Sequence, residues 1–330
     1  MFESSNCTNF LVEVEGEDGA DLPRTLYAKL PCPELATRVF AGALRFWEVE
    51  ATFCQRVADR VPVRVPRVYA AERRGSRFVL LLENLREQPG VRLFVNRDMA
   101  AGTTPERSRA CLRTFAELHA AFWGWDALQR EALLPMRLHP HLAPDGRGVS
   151  RAVHAAAIGP AHRAAPEIFT RAHADLCRRA VDRWDALLAA WYRGPLTLLH
   201  GDSHLANCFE YPSPEGPRIG LLDFQGLHWG QGIRDVQYHL IDSLEPEVLA
   251  ACEDALIDDY LEVLSEHGVP LDAGEARDQY RALSFQTLMV AVVSLGLGSL
   301  TEREETVRTV LRRSVAAVDR LGFGDWLATL

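Results

Sequence analysis

Lysine is almost missing from this chain. Of its 36 basic residues one is lysine, Lys29, and the rest are arginine. Most of those arginines must be surface charges, where lysine would serve as well, so a high-GC coding bias accounts for the general exchange. It does not account for the exception. Lysine is a compact point charge and arginine a planar fork. A position that keeps lysine is a candidate for a site where arginine will not do.

Other absences narrow the reading. The seven cysteines, at 7, 32, 54, 111, 177, 208 and 252, form no C-x-x-C pair and are odd in number. That reads as neither a disulfide framework nor a zinc site; reduced buried thiols are expected. The opening Met-Phe-Glu-Ser-Ser-Asn has neither a basic n-region nor an apolar h-region, so no signal peptide is expected. The longest apolar stretch, around Leu288–Leu300, is about a dozen residues, too short to span a bilayer. A net charge of -9 argues against a nucleic-acid partner. The expectation is a cytoplasmic protein with no membrane and no nucleic acid among its partners.

What is present suggests two lobes. At roughly 150 residues per domain, 330 residues make about two units. Phe10–Glu15 and Arg24–Leu30 read as a hairpin around the turn 16–19, and Val68–Glu72 and Phe78–Glu83 as two more strands. Thr37–Arg60 reads as one helix. After Gln88-Pro89-Gly90 the pattern is mainly helical: 106–122, one long helix over 167–191, then 233–244, 247–266, 273–297 and 302–320. Residues 133–165, rich in Pro, Gly and His, read as loop with at most a short helix. The fold class is α+β: a small antiparallel sheet lobe, 1–84, and a larger helical lobe, 85–330, with a cleft between them for a ligand.

The chemistry concentrates in Leu199-His200-Gly201-Asp202-Ser203-His204-Leu205-Ala206-Asn207 and in Leu222-Asp223-Phe224-Gln225. Asp202 and Asn207 stand five apart, the spacing of the catalytic Asp and the magnesium-binding Asn in the kinase catalytic loop. Asp223, after an apolar run, occupies the place of a second magnesium ligand. Phosphoryl transfer needs a carboxylate to orient the acceptor hydroxyl and take its proton. It needs hard oxygen ligands for Mg2+ and a cation on the phosphates. Lys29, at a strand end, is that cation, and Glu50 its expected partner on the following helix, ahead of Glu48. His200 and His204 resemble metal ligands, but no further ligands stand nearby at set spacings; His200 is expected to anchor the loop. Trp229 is expected either to stack on the acceptor or to pack the loop.

The two segments H-G-D-x-H-x-x-N and D-F-Q resemble the aminoglycoside phosphotransferase and choline kinase-like group, which shares the protein-kinase fold. The nearest subgroup is the ecdysteroid-kinase-like one. Glu50-Ala-Thr-Phe53, Phe78–Leu85, Leu118–Trp123 and Gly232–Val236 support it. The resemblance implies a small-molecule kinase that moves the γ-phosphoryl group of ATP to a hydroxyl acceptor, lipophilic alcohols being the best-known acceptors of the subgroup. It makes Asp202 the base, Asn207 and Asp223 the magnesium ligands, Lys29 with Glu50 the phosphate grip, and the backbone at Glu83, Asn84 and Leu85 the adenine hinge. Asp235 would brace the catalytic loop, and Gln225 and Trp229 would border the acceptor. Gln225 replaces the Gly of the protein-kinase Asp-Phe-Gly, which argues against a protein substrate. One departure is expected to matter. No glycine precedes Gly16, so a first strand and Gly-rich loop do not fit, and Ser4 and Ser5 would offer backbone N–H groups to phosphate instead. The alternative is a nucleotide-binding scaffold of the same fold without catalysis.

Overall fold

The computed structural model describes residues 2–3, 7–15, 23–298 and 304–330. Ser4, Ser5 and the turn 16–19 lie outside the described residues.

The first unit is a five-stranded antiparallel sheet with two helices. In chain order these are β1 (Phe2–Glu3), β2 (Cys7–Glu13), β3 (Thr25–Pro31), α1 (Leu35–Ala43), α2 (Phe46–Thr52), β4 (Val68–Arg74) and β5 (Arg77–Glu83). The spatial order is β1-β2-β3-β5-β4, which makes β3 central. Lys29 sits on it in register with Asn9 and Leu80. A first strand is therefore present, contrary to the sequence expectation: Phe2 pairs with Asn9 and Glu3 with Thr8. Two residues are too few to show an alternating pattern, but they are enough to add a ladder edge.

The helix expected over 37–60 is broken. Arg45 adopts a left-handed φ of 59° and separates α1 from α2. Beyond Thr52 the helix widens into a π turn over Phe53–Val57 and tightens again over Ala58–Arg60. Such widenings often mark functional sites; here it carries Phe53 toward the second unit. Trp47, Ala51, Ala41, Phe78, Leu80 and Cys7 close the core between α1, α2 and the sheet.

The second unit runs through β6 (Arg92–Leu93), α3 (Asn96–Ala101), α4 (Pro105–Phe122), α5 (Ala127–Leu133), α6 (Gly146–Ala164), α7 (Arg171–Asp182) and α8 (Trp184–Trp191). It continues with β7 (Thr197–Leu199), β8 (Cys208–Tyr211), β9 (Arg218–Leu221) and β10 (His228–Gly230). It ends with α9 (Ile233–Ser243), α10 (Pro246–Glu266), α11 (Ala273–Leu297), α12 (Glu304–Arg320) and α13 (Phe323–Ala328). The loop expected over 133–165 is mostly α6, with Pro160 inside it. Packing overrides local propensity here. α6 lies along α11, and the two cross closely at Gly296, where a Cβ would collide with the Ala157 carbonyl oxygen. The single helix expected over 167–191 breaks at Arg183, whose guanidinium donates to the Leu327 carbonyl at 2.8 Å.

Among the described residues α11 alone is long and apolar enough to cross a membrane, by length and composition only. Two thirds of its apolar window, 67%, is buried in the fold. Phe285, Leu288, Met289 and Val292 are fully enclosed, each stabilising by about 1.5–3 kcal/mol. α11 is accounted for as a core helix.

Two small ladders hold the loops that carry Asp202 and Asp223. β7 pairs with β10, Leu199 opposite His228. β8 pairs with β9, Cys208 opposite Leu221. The loop joining β7 to β8, residues 200–207, is thereby held beside the loop joining β9 to β10, residues 222–227. Short buried strands make rigid supports for such loops.

Candidate active site

The two loops touch closely at Gly201 and Gly226. Gly201 has φ 82°, and a Cβ there would collide with the Gly226 carbonyl oxygen. His-Gly-Asp needs its glycine for that contact as well as for the backbone angle. Asp223 also takes a left-handed φ, 62°, without being glycine. Conformations of this kind cost about 1–3 kcal/mol and cluster at functional sites.

Asp202 stands at the centre. The Asn207 side-chain amide donates to Asp202 Oδ2 at 3.0 Å and to the Asp202 carbonyl at 2.8 Å. The Tyr238 hydroxyl donates to Asp202 Oδ1 at 3.1 Å, and His204 Nε2 lies 3.6 Å from the same oxygen. Burial pushes the Asp202 carboxyl up, but His204, His200 and the Tyr238 hydrogen bond outweigh it and hold it below the usual range. It stays a carboxylate, able to accept a proton. Asn207 commits its NH2 to Asp202, which turns Oδ1 the other way.

Asp235 supports this loop from behind. His200 N–H donates to Asp235 Oδ2 at 2.6 Å, Gly201 N–H to Oδ1 at 3.0 Å, and the Ser203 hydroxyl to the Asp235 carbonyl at 2.8 Å. His119 Nε2 meets Asp235 Oδ2 at 3.2 Å. The His200 ring Nδ1 accepts from Asp202 N–H at 3.3 Å, so Nε2 carries the proton and donates to the Leu222 carbonyl at 2.9 Å. His200 ties the two loops together.

Lys29 joins the sheet to these loops. Its Nζ donates to Glu50 Oε1 at 2.5 Å and to Asp223 Oδ1 at 3.2 Å, with Lys29 only 4% exposed. Burial would push the ammonium down; Asp223 and Glu50 hold it well above its usual value. Glu48 is engaged elsewhere, with Arg73 at 2.8 Å and Arg137 at 2.6 Å. Glu50 is thus the residue that meets Lys29. The Phe53 ring stacks on Phe224 at 3.7 Å between centroids, and Phe224 packs on His200 at 4.7 Å. The helix that carries Glu50 is thereby packed against both loops.

The model of the ecdysteroid kinase-like family matches residues 53–271. The chain belongs to that family. No curated protein sequence matches it. This ecdysteroid kinase-like chain also resembles solved structures at low identity, a likeness that establishes the fold. Plasmodium vivax ethanolamine kinase superposes with a TM-score of 0.57 at 12% identity, over 93% of this chain and 78% of that one. Cryptosporidium parvum choline kinase gives 0.57 at 12%, over 99% and 92%. A Ralstonia eutropha protein described as an aminoglycoside phosphotransferase gives 0.52 at 14%, over 98% and 91%. The fold is the protein-kinase-like one of small-molecule kinases.

Of the two places expected for Trp229 in this kinase-like chain, it takes the packed one. Trp229 is 1% exposed; its indole N–H donates to the Leu134 carbonyl at 3.1 Å and its ring packs near Phe122 and Trp125. It packs the core and does not offer its face to an acceptor. Gln225 remains partly exposed on the loop. At the expected hinge the side chains brace the backbone. Arg64 grips both Glu83 carboxylate oxygens, Arg67 N–H adds a third bond at 3.0 Å, Asn84 donates to Thr25 Oγ1 at 2.7 Å, and Leu85 is buried.

Several contributors had no place in the sequence reading. Tyr238 and Asp242 follow Asp235 on α9 by three and seven residues, the helical spacing that puts them on one face. That spacing was the available signal. Burial, then the charge of Asp202, pushes the Asp242 carboxyl up to about 8. His119 stood in the supporting segment Leu118–Trp123 without a role of its own: its partners Asp235 and Tyr260, the latter at 2.9 Å, lie more than a hundred residues away.

Proposed function

We propose that this protein is an ATP- and Mg2+-dependent small-molecule kinase that transfers the γ-phosphoryl group to a hydroxyl of a small metabolite or xenobiotic. The observation that carries the reading is the single lysine, held between Glu50 of the sheet unit and Asp223 of the helical unit. An ammonium has three N–H donors, and Lys29 uses two. The third is free for a phosphate oxygen.

The donor set fits the group. Asn207 Oδ1 and the Asp223 carboxylate are hard oxygens beside Asp202, the chemistry magnesium takes. When bound, magnesium would neutralise charge on the phosphates. Asp202, kept ionised, orients the acceptor hydroxyl and accepts its proton. Asp235 and His200 fix the loop so that this carboxylate does not swing. Lys29 orients the phosphates, and the backbone at Glu83–Leu85 receives the base. The division into a nucleotide lobe, 1–84, and a catalytic and acceptor lobe, 85–330, follows from these roles, as does a cytoplasmic setting where ATP is supplied. The acceptor class favoured by the family is a lipophilic alcohol. The alternative, a binding scaffold without catalysis, drew on a missing first strand; with β1 paired to β2, that support is weakened.

The test is ADP release with ATP and Mg2+ across sterol, aminoglycoside, choline-like and sugar acceptors. Asp202→Asn and Asp223→Ala are each expected to lower acceptor-dependent turnover by about 10²–10⁴-fold. Acceptor phosphorylation that survives Asp202→Asn would remove the assigned base. A product heavier by a nucleotide, instead of one phosphate, would make the reaction nucleotidyl transfer.

A further inference from the structure

Behind the catalytic loop three potential metal ligands meet that the mechanism does not use. Cys111 lies on α4, Cys208 opens β8, and His239 lies on α9. Their sulfurs and a His239 ring nitrogen all fall within 4.8 Å of one another, and all three residues are buried. No sequence spacing could announce them, because they come from three separate elements.

The histidine is prepared as a ligand. Its Nδ1–H donates to the Ser203 carbonyl at 3.1 Å. That fixes the tautomer with the lone pair on Nε2, and this buried Nε2 has no hydrogen-bond partner. A metal-bound histidine characteristically donates its other N–H to a backbone carbonyl in this way. The Phe115 ring, one turn after Cys111, meets the His239 ring edge-on at 5.7 Å and fixes its plane.

We propose that Cys111, Cys208 and His239 form a buried site for one zinc ion. Two thiolates and one neutral imidazole around Zn2+ sum to zero charge, which lets the unit stay out of water. Soft sulfur ligands favour zinc over the hard magnesium of the front face. Zn–S bonds of about 2.3 Å and a Zn–N bond of about 2.0 Å put tetrahedral ligand atoms about 3.5–3.8 Å apart, so movements of about 1 Å close the set. Two Zn–S bonds and one Zn–N bond form. The two thiols release their protons to solvent, and nothing is oxidised or reduced. The ion also fastens the catalytic loop, since Cys208 follows Asn207 directly and His239 holds Ser203. The site does not depend on the kinase reading.

The experiment is a Cd2+ titration of reduced, chelator-treated full-length protein, read by the ultraviolet thiolate-to-cadmium charge-transfer band, with Zn2+ competing the signal away. One ion per chain is expected. Cys111→Ala and His239→Gln are each expected to weaken binding at least tenfold. A triple variant, Cys32→Ala, Cys54→Ala and Cys252→Ala, removes the partly exposed thiols and is expected to bind as the native chain does. Should Cys111→Ala fail to fold by circular dichroism, His239→Gln and the triple variant decide. No binding by the native chain, or a signal lost with the triple variant, would overturn the site. So would Cys111 and Cys208 isolated as a disulfide with no cadmium taken up after reduction.

Discussion

Lys29 and Arg313 are both cations buried in this chain, 4% and 2% exposed, and they are held in opposite ways. Lys29 meets two carboxylates from two lobes and keeps one N–H uncommitted. Arg313, on α12, commits every donor it has. Its NH1 donates to the carbonyls of Met99 and Asp242, NH2 to the Ala100 carbonyl and Glu245, and Nε to Glu245. The planar fork gathers the ends of α3 and α9 and leaves nothing over. The same contrast separates Asn207, which turns one oxygen outward, from Asp235, whose carboxylate takes two backbone N–H groups and His119. A buried polar group with every atom paired reads as an anchor; Lys29 and Asn207 each keep an atom to spare, as their proposed roles require.

The largest effect should come from the saturated side. Arg313→Met keeps the apolar stem and strips five hydrogen bonds, leaving Glu245 and three carbonyls behind. Glu245 keeps Arg312 as a partner, but each stranded carbonyl costs about 1–3 kcal/mol, to be read from urea unfolding at pH 7. Turnover per folded molecule should stay within about twofold of the native value, because the guanidinium touches no reacting group. A loss of stability below about 1 kcal/mol would deny that saturation marks an anchor.

Lys29→Arg asks the converse. The charge and an ion pair with Glu50 are retained, but a guanidinium cannot direct a compact third donor at a phosphate oxygen. Turnover should fall about 10²–10³-fold, the usual cost of one misplaced electrostatic donor, with a folded protein by circular dichroism. Activity within threefold of native would return Lys29 to a chance survivor of codon bias.

Acid should act on Asp235 before it acts on Lys29. Burial would raise the Asp235 carboxyl, but the His119 hydrogen bond, with the charges of His119, Arg234 and His200, holds it far below the usual range. A depressed folded value adds stability that is complete above the unfolded value, about 3.9, and is lost as pH falls through it toward the folded value. Asp202 is depressed as well and adds in the same direction. Unfolding free energy should therefore decline between about pH 5 and pH 3, and less steeply in Asp235→Asn. Lys29 is shifted the other way, upward, by Asp223 and Glu50, so it stays an ammonium throughout that range. An equal slope in native and Asp235→Asn protein would refute the assignment.

Much of this was legible because the chemistry is local in sequence. Asp202 and Asn207 share one loop, Asp223 follows an apolar strand, and the lone lysine stands out by composition. What was illegible depends on distance along the chain. α6 is helical because α11 covers it, although Pro160 argues against helix. Arg313 looked like one arginine among many, and its partners lie 68 to 214 residues away. The Cys111, Cys208 and His239 cluster is invisible to any spacing rule. β1 was missed because two residues carry no period.

Trp229 supplies the smallest and most discriminating effect. It stands in the segment after Asp223 where an acceptor would be expected, yet its N–H is committed to Leu134 and its ring to Phe122 and Trp125. By the rule drawn from Arg313 it is an anchor. Trp229→Phe keeps an aromatic ring and removes one buried hydrogen bond, which costs about 0.5–1.5 kcal/mol. The KM of whichever acceptor the panel identifies should stay within about twofold, since a residue that never meets the acceptor cannot weaken its binding. An acceptor KM raised tenfold with KM for ATP unchanged would place Trp229 at the acceptor after all. A fully paired buried group would then no longer suffice as the mark of a structural one.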